Sequence, residues 1–206
     1  MGRESYYAFI GTNSVRGSRG IYTLRIDAET GIAKIMSTAP AYNTGCLALS
    51  QDGGNLYTAA EGMTFDGYAD GGVMAFRVNQ DGSLHRLNGQ RSYGQRTCCV
   101  AVDREKKNVY ACNFYKGTWS AYALQENGAL APARLVVAPP EASAWKALHC
   151  IGTIEEDYVG VISLAECALV VYRGDTGVRV TSFSFPHNPF PRYFAAVDDT
   201  IYAMMQ

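Results

Sequence analysis

Residues 20–31 read Gly20-Ile-Tyr-Thr-Leu-Arg25 and then Asp27-Ala-Glu-Thr-Gly31, a strand-like run followed by a turn. The chain repeats this pair three more times, as Gly72-Val-Met-Ala-Phe-Arg77 with Asn79-Gln-Asp-Gly82, Thr118-Trp-Ser-Ala-Tyr122 with Gln125-Glu-Asn-Gly128, and Ala168-Leu-Val-Val-Tyr-Arg173 with Gly174-Asp-Thr-Gly177. The four closing glycines lie 46 to 51 residues apart. A period of this length predicts one structural unit that recurs along the chain.

One further apolar run precedes the first of these turns, and two precede each of the other three. The nearer run recurs as residues 6–10, 56–60, 109–112, 159–162 and 201–204. The farther run is rich in small residues and recurs as residues 46–50, 99–103, 149–153 and 193–197. Units of about four short strands are typical of the blades of a β-propeller, and small residues suit the strand nearest the axis. No stretch shows sustained helical periodicity, so we predict an all-β fold.

The ends of the chain contain partial units. Residues 6–10 correspond to the second strand of a blade, while residues 193–204 supply only a first and a second strand. We therefore expect a single domain over residues 1–206, with three full blades and two partial ones, about four blades in all. Such an array is either an incomplete propeller or one that closes through a partner. The apolar flanks of an open array favour a homo-oligomer that covers them.

Composition restricts the possible partners. The 206 residues are 48% hydrophobic and 18% charged, which is ample for a core, and the net charge is −1. Nucleic acids and anionic membranes both require a basic surface, so we expect neither as a partner. No apolar run approaches the length of about 20 residues that spans a bilayer, and residues 1–5 lack the apolar stretch of a signal peptide. We expect a cytoplasmic location.

Six cysteines raise the question of disulfides or a metal. They form no Cys-x-x-Cys pair and sit inside apolar strand runs, where a free cysteine behaves as a small hydrophobe. Buried thiols are therefore the leading interpretation, and we expect no cofactor and no metal. A zinc site remains the alternative, with ligands drawn from Cys98, Cys99, His149 and Cys150.

Several segments together resemble the seven-bladed lactonase family, to which 6-phosphogluconolactonases and 3-carboxy-cis,cis-muconate lactonising enzymes belong. The resemblance is carried by order and spacing, in Gly11-Thr-Asn13, Gly20-Ile-Tyr22, Leu47-Ala-Leu-Ser50, Leu56-Tyr57 and Gly71-Gly-Val-Met-Ala-Phe76. It covers essentially the whole chain. It implies a lactonase-type propeller of which about four of the seven blades are present, with its chemistry in the central channel.

The resemblance also implies site residues. Lys146-Ala-Leu-His-Cys150 keeps one family histidine as His149, and Phe190-Pro-Arg-Tyr193 keeps the family arginine as Arg192. Cys99 and Tyr193 stand where the family has histidines, and Gln206 stands where it has a carboxylate. The resemblance thus implies His149 and Arg192 as catalytic residues. Its implied substrate-binding residues are Cys99, Glu61, Asn113, Tyr193 and Gln206.

Chemistry supports the two catalytic assignments. Lactone hydrolysis needs a group that activates water and a donor for the developing oxyanion, and histidine and arginine suit these roles. The expected activity is a lactonase-like hydrolase acting on a small anionic lactone, such as 6-phosphogluconolactone or a related carboxylated lactone.

Non-catalytic interpretations of the same residues are also open. In an interpretation of equal weight, His149 is a hydrogen-bonded residue at the channel mouth and Arg192 is a surface cation. The chain would then be a non-catalytic propeller that serves as a binding or scaffold module. A polar pocket around His149 and Arg192 would favour the enzyme. A channel filled by Cys46, Cys99 and Tyr193 would favour the scaffold. Glu61 and Asn113, at the ends of second strands, either line the channel or cap those strands.

Overall fold

The computed structural model describes residues 5–14, 17–61, 67–68, 70–103, 105, 107–138, 147–155, 157–186 and 190–206. These residues form 17 β-strands in five antiparallel sheets, and none of them lies in an α-helix. The prediction of an all-β propeller is confirmed. It follows that no helix in the described part of the chain is long and apolar enough to cross a membrane.

Three sheets are complete four-stranded blades in which consecutive strands are neighbours. The second sheet of the chain contains β4 (Leu47–Leu49), β5 (Asn55–Ala60), β6 (Gly72–Val78) and β7 (Leu84–Arg91). The third contains β8 (Gln95–Val102), β9 (Asn108–Tyr115), β10 (Trp119–Leu124) and β11 (Leu130–Val137). The fourth contains β12 (Leu148–Ile154), β13 (Tyr158–Ser163), β14 (Ala168–Arg173) and β15 (Arg179–Ser184).

The first and fifth sheets are incomplete on opposite sides. The first contains β1 (Ser5–Ile10), β2 (Gly20–Asp27) and β3 (Ala33–Pro40), which match the second to fourth strands of a blade. The fifth contains β16 (Pro191–Val197) and β17 (Thr200–Met205), which match the first and second strands. The predicted count of three complete and two partial blades is confirmed.

Some strand limits differ from those that the sequence predicts. The innermost strand of the second sheet spans only Leu47–Leu49, so Cys46 precedes it, and β8 begins at Gln95, before the predicted start at Cys99. Cys167 lies in the turn before β14. The expectation that all six cysteines lie inside strands is therefore wrong for Cys46 and Cys167, although all six are free thiols.

The repeated turn glycines have a backbone reason and a packing reason. All four have positive φ angles between 69° and 85°, a region that side-chain-bearing residues rarely adopt. A β-carbon on Gly82, Gly128 or Gly177 would also collide with a side chain of the preceding sheet, in Tyr7, Asn55 and Val137 respectively. These three turns therefore pack directly against the previous blade.

Aromatic side chains hold neighbouring blades together. Tyr57 is fully buried, and its hydroxyl donates a hydrogen bond to the carbonyl of Gly128 in the next sheet at 3.1 Å. Trp119 of the third sheet packs against Tyr172 of the fourth, with ring centroids 5.4 Å apart. Because these contacts cross between sheets, one continuous apolar core links the second to fifth sheets.

The two outer flanks of the array expose large apolar side chains. On the first sheet Ile35 is 64% exposed, and on the fourth and fifth sheets Phe183 and Tyr202 are each 62% exposed. Gly31 is the turn glycine of the first sheet, and no described atom lies within 4 Å of the place its β-carbon would take. The surface that a preceding blade would cover is thus open in this chain.

Candidate functional site

Three inner strands carry a β-bulge at the same place. The pairing of β8, β12 and β16 with their neighbours slips by one residue, so that Cys98, His149 and Arg192 are the extra residues. A bulge breaks the ladder locally and turns the extra side chain away from the alternation of the strand. The sequence therefore places both candidate catalytic residues at equivalent, bulged positions in adjacent sheets.

The residues that follow each bulge converge on the propeller axis. The Sγ atoms of Cys46 and Cys99 are 3.6 Å apart, and those of Cys99 and Cys150 are 3.9 Å apart. The Tyr193 hydroxyl lies 3.5 Å from Cys46 Sγ and 3.8 Å from Cys99 Sγ. We call these four residues the axial cluster. They come from four consecutive sheets and contact one another near the starts of the inner strands.

Three members of the axial cluster, Cys46, Cys99 and Tyr193, are uncharged at neutral pH. The hydrogen bond to the Cys99 thiol, together with burial, raises the pKa of the Cys46 thiol far above its ordinary value. The hydrogen bond to Cys150 is the main cause that raises the pKa of Cys99. Burial and the neighbouring thiols raise the pKa of Tyr193. The thiols therefore act as packing groups, because only a thiolate is a good nucleophile or metal ligand.

His149 is positioned by a backbone contact across the interface between the fourth and fifth sheets. Its Nδ1 lies 2.8 Å from the carbonyl oxygen of Arg192. A carbonyl only accepts hydrogen bonds, so this contact assigns the proton to Nδ1 and leaves the lone pair of Nε2 free. Burial is the main cause that lowers the pKa of His149, and the charges of Arg192 and Arg96 lower it further. His149 is therefore neutral at pH 7, and its Nε2 can accept a proton.

Arg192 joins the site through its main chain and through its side chain. The Nε of Arg192 donates a hydrogen bond of 2.5 Å to the side-chain oxygen of Gln206. Gln206 is exposed and held by a backbone hydrogen bond from its N–H to Phe190. The structure thus brings together His149, Arg192 and Gln206. Tyr193 is nearby as the next residue in β16, although its hydroxyl points into the axial cluster.

Asn113 and Glu61 lie apart from this group. Asn113 is fully buried inside β9, and its amide bonds with Ser92, Thr97 and Thr118 use both its donors and its acceptor. In this structure Asn113 therefore cross-links its own blade, and its assignment to substrate stays a prediction. Glu61 follows β5, is half-buried, and has a backbone hydrogen bond to Tyr42. Neither residue contacts His149 or Arg192 in the interactions recorded for the described chain.

Sequence reasoning missed Arg96. This exposed residue near the start of β8 has its guanidinium carbon 5.0 Å from the ring centre of Phe114, and the Phe114 ring meets His149 edge-on at 6.4 Å. The signal in the sequence was a single arginine three positions before Cys99. An isolated arginine can be recognised as a candidate site residue only when the structure shows that Phe114 lies between it and His149.

The opposite end of the inner strands contains a cleft of about 800 Å³. Asp103, Glu155 and Asp198 lie there because each follows the end of an inner strand, whereas His149 and Arg192 lie near the strand starts. Its lining includes seven carboxylates and two cations: Asp103, Glu105, Glu155, Asp157, Asp175, Asp198, Asp199, Lys107 and Arg134. In the described chain no group of three or more histidine, cysteine or carboxylate side chains is arranged to hold a metal ion, including the cysteines of the zinc alternative.

Comparison with known proteins gives the class that this fold and channel define. The family described as "Lactonase, 7-bladed beta-propeller" matches residues 7–203. The chain therefore belongs to the lactonase family of seven-bladed β-propellers.

Individual proteins with similar sequences or structures are also named lactonases or share their fold. A 6-phosphogluconolactonase of Bacillus subtilis (strain 168) is 29% identical over 200 residues, which are 92% of this chain and 56% of that protein. A periplasmic gluconolactonase of Pseudomonas aeruginosa superposes with a TM-score of 0.85 at 17% identity, over 98% of this chain and 62% of the other. A Lactobacillus plantarum protein gives 0.81 at 24% identity, over 98% and 60% of the two chains. The two superpositions support the fold alone, and this chain spans about three fifths of each relative's length.

Proposed function

We propose that this chain carries a lactonase-type hydrolytic site in which His149 is the general base and Arg192 stabilises the oxyanion. The observation that carries the proposal is the 2.8 Å contact between His149 Nδ1 and the Arg192 carbonyl. It fixes the ring in the tautomer whose Nε2 can accept a proton, and it places the residue that bears the guanidinium directly beside that ring. Membership of the lactonase family and the Bacillus subtilis relative support the same class of reaction.

The proposed reaction needs only water and these two groups. Nε2 of His149 accepts a proton from water as the water oxygen attacks the lactone carbonyl, and the carbonyl oxygen becomes an anion that the Arg192 guanidinium stabilises. The tetrahedral intermediate then collapses, the ring C–O bond breaks, and the imidazolium returns its proton to the leaving alkoxide. The product is the open-chain hydroxy acid, which loses its carboxyl proton at neutral pH.

The substrate that we propose is a sugar lactone with an anionic substituent, such as 6-phosphogluconolactone. The name of the Bacillus subtilis relative supports this choice. The positive charge of Arg192 supports it physically, because a cation at the site attracts a substrate with an anionic substituent.

Replacing His149 tests the proposal. We expect His149→Ala to lower kcat/KM for 6-phosphogluconolactone by about 10²- to 10⁴-fold, the usual contribution of a general base. His85→Ala is the matched control, because His85 is exposed on the outer strand β7. Hydrolysis is followed by acid release above the spontaneous rate. Equal rates for the two variants, or no turnover by the unaltered protein, would overturn the proposal.

A second candidate function rests on the axial cluster. Cys46, Cys99 and Tyr193 fill the channel at the level where the family resemblance implies histidines, and this filling favours a propeller that acts as a binding or scaffold module. The same assay separates the two candidates. A scaffold propeller leaves lactone hydrolysis at the spontaneous rate in the presence of a folded protein.

A further inference from the structure

We propose that Arg96 is a second anion-binding residue of the His149 site, and that Arg96 and Arg192 together select ligands with a carboxylate or phosphate substituent. The inference rests on the proposed function in one respect, because it assigns a ligand preference to the same site. It adds a residue that the family resemblance does not assign.

Position links Arg96 to His149 through an aromatic ring. The guanidinium carbon of Arg96 lies 5.0 Å from the ring centre of Phe114 and 5.8 Å from that of Tyr115, both within the range of a cation–π interaction. Phe114 in turn meets the His149 ring edge-on. Contact with two aromatic rings restrains a long, flexible side chain. The Arg96 guanidinium is therefore held beside Phe114, which itself contacts the His149 ring.

The positive charges of Arg96 and Arg192 have no carboxylate partner among the described residues. Within the described chain, no carboxylate forms an ion pair with Arg96 or Arg192, and the side chain of Arg192 is bonded only to the neutral amide of Gln206. By contrast, Arg91 is paired with Asp70 and Arg179 with Glu166. Both unpaired guanidinium charges lower the pKa of His149, which places them in the same electrostatic neighbourhood. An anion bound there would be attracted by two cations at once.

The backbone at Arg96 adopts a conformation that residues with side chains rarely take. Its φ angle is +58°, in the left-handed region that glycine adopts most easily. Such conformations occur in tight turns and are also found at binding sites, where the surrounding structure holds them. The backbone angle thus makes Arg96→Gly a useful variant, while the ring contacts and the charges of Arg96 and Arg192 carry the assignment.

The test is anion binding to the complete chain, with inorganic phosphate and acetate as separate probes. Affinity is measured by calorimetry, and the pKa of His149 by NMR of its ring signals with and without each probe. We expect at least one probe to bind and to raise the pKa of His149, because the anion offsets the two positive charges. The probe that binds more tightly identifies the preferred anionic group.

Four variants make the test specific. Arg96→Gln should weaken binding by about tenfold or more and raise the pKa of His149 in the absence of any probe. Arg96→Lys keeps the charge and should preserve the pKa of His149, but it should recover affinity only in part because the two parallel hydrogen bonds are lost. Arg96→Gly should weaken binding while its melting temperature stays equal or rises, because the left-handed backbone suits glycine. Arg86→Gln, at an exposed site on β7, should change nothing.

The outcomes separate this inference from the proposed function. Equal affinity for Arg96→Gln and Arg86→Gln, or no binding of either probe at millimolar concentration, would overturn the inference even if the protein hydrolyses lactones. Binding that depends on Arg96 in a protein without turnover would leave the inference standing and remove the proposed hydrolase.

Discussion

At the scale of single residues, the candidate site depends on which residues are the extra, unpaired residues of the β-bulges. His149 and Arg192 are both extra residues of such bulges, and the main chain of one fixes the ring of the other. The family resemblance singled out both residues from the sequence. The bulges, the tautomer of His149 and the role of Arg96 could not be predicted, because each depends on a neighbour distant in the chain.

The pH dependence of the proposed activity follows from the lowered pKa of His149. A general base works in its neutral form, and a folded-state pKa below the ordinary value of about 6.5 keeps His149 neutral to lower pH. We therefore expect kcat/KM to be level at pH 7 and to fall with a midpoint below 6.5. Arg96→Gln should move this midpoint upwards, because one nearby positive charge is removed. Rates measured between pH 4.5 and 8 would check both statements, and a midpoint above 6.5 in the unaltered protein would contradict them.

At the scale of strands and turns, the period of the turn glycines predicted the fold better than it predicted strand limits. The turns recur because each closes its blade in a left-handed conformation, and those at Gly82, Gly128 and Gly177 also pack against the blade before. Strand ends depend instead on pairing. β8 extends back to Gln95 because Gln95 pairs with Tyr115 on β9, while β4 keeps only three residues. Such pairings join segments that sequence patterns treat separately.

The turn glycines offer a matched pair of substitutions. Gly31→Ala should cost about 1 kcal/mol through backbone strain alone, because its β-carbon enters open space. Gly128→Ala should cost about 1–3 kcal/mol more, because its β-carbon would collide with the Asn55 side chain of the neighbouring sheet. Denaturant unfolding of both variants measures the difference. Equal costs would mean that the open side of the first sheet is covered in solution.

At the scale of the whole molecule, the five sheets form an arc with two open flanks. Ile35 lies on one flank and Phe183 and Tyr202 lie towards the other, and each is more than half exposed. The free edge of β1 also presents unpaired backbone groups, since β1 pairs only with β2 among the described strands. Exposed apolar patches larger than a few hundred Å² are unusual in monomers, so these flanks favour association.

We expect the 206-residue chain to associate with a second copy through these flanks, or to aggregate when it is expressed alone. Sedimentation velocity and light scattering at micromolar concentration would measure the association. Ile35→Lys and Phe183→Lys should weaken it, because burying an unpaired ammonium group is costly. Val136→Lys, on the outer strand of a complete blade, is the control. A monomer that unfolds cooperatively without any such substitution would contradict the expectation.

The axial cluster also makes the opening of the blades observable in time. Cys46, Cys99 and Cys150 belong to three neighbouring sheets, and each is less than a tenth exposed. An alkylating reagent reaches these sulfur atoms only while adjacent blades separate, and the native thiols of Cys46 and Cys99 react slowly because they stay protonated. The labelling rate at each cysteine thus reports how often its blade boundary opens. The three cysteines are therefore built-in probes of local opening at the centre of the array, one in each of three neighbouring sheets.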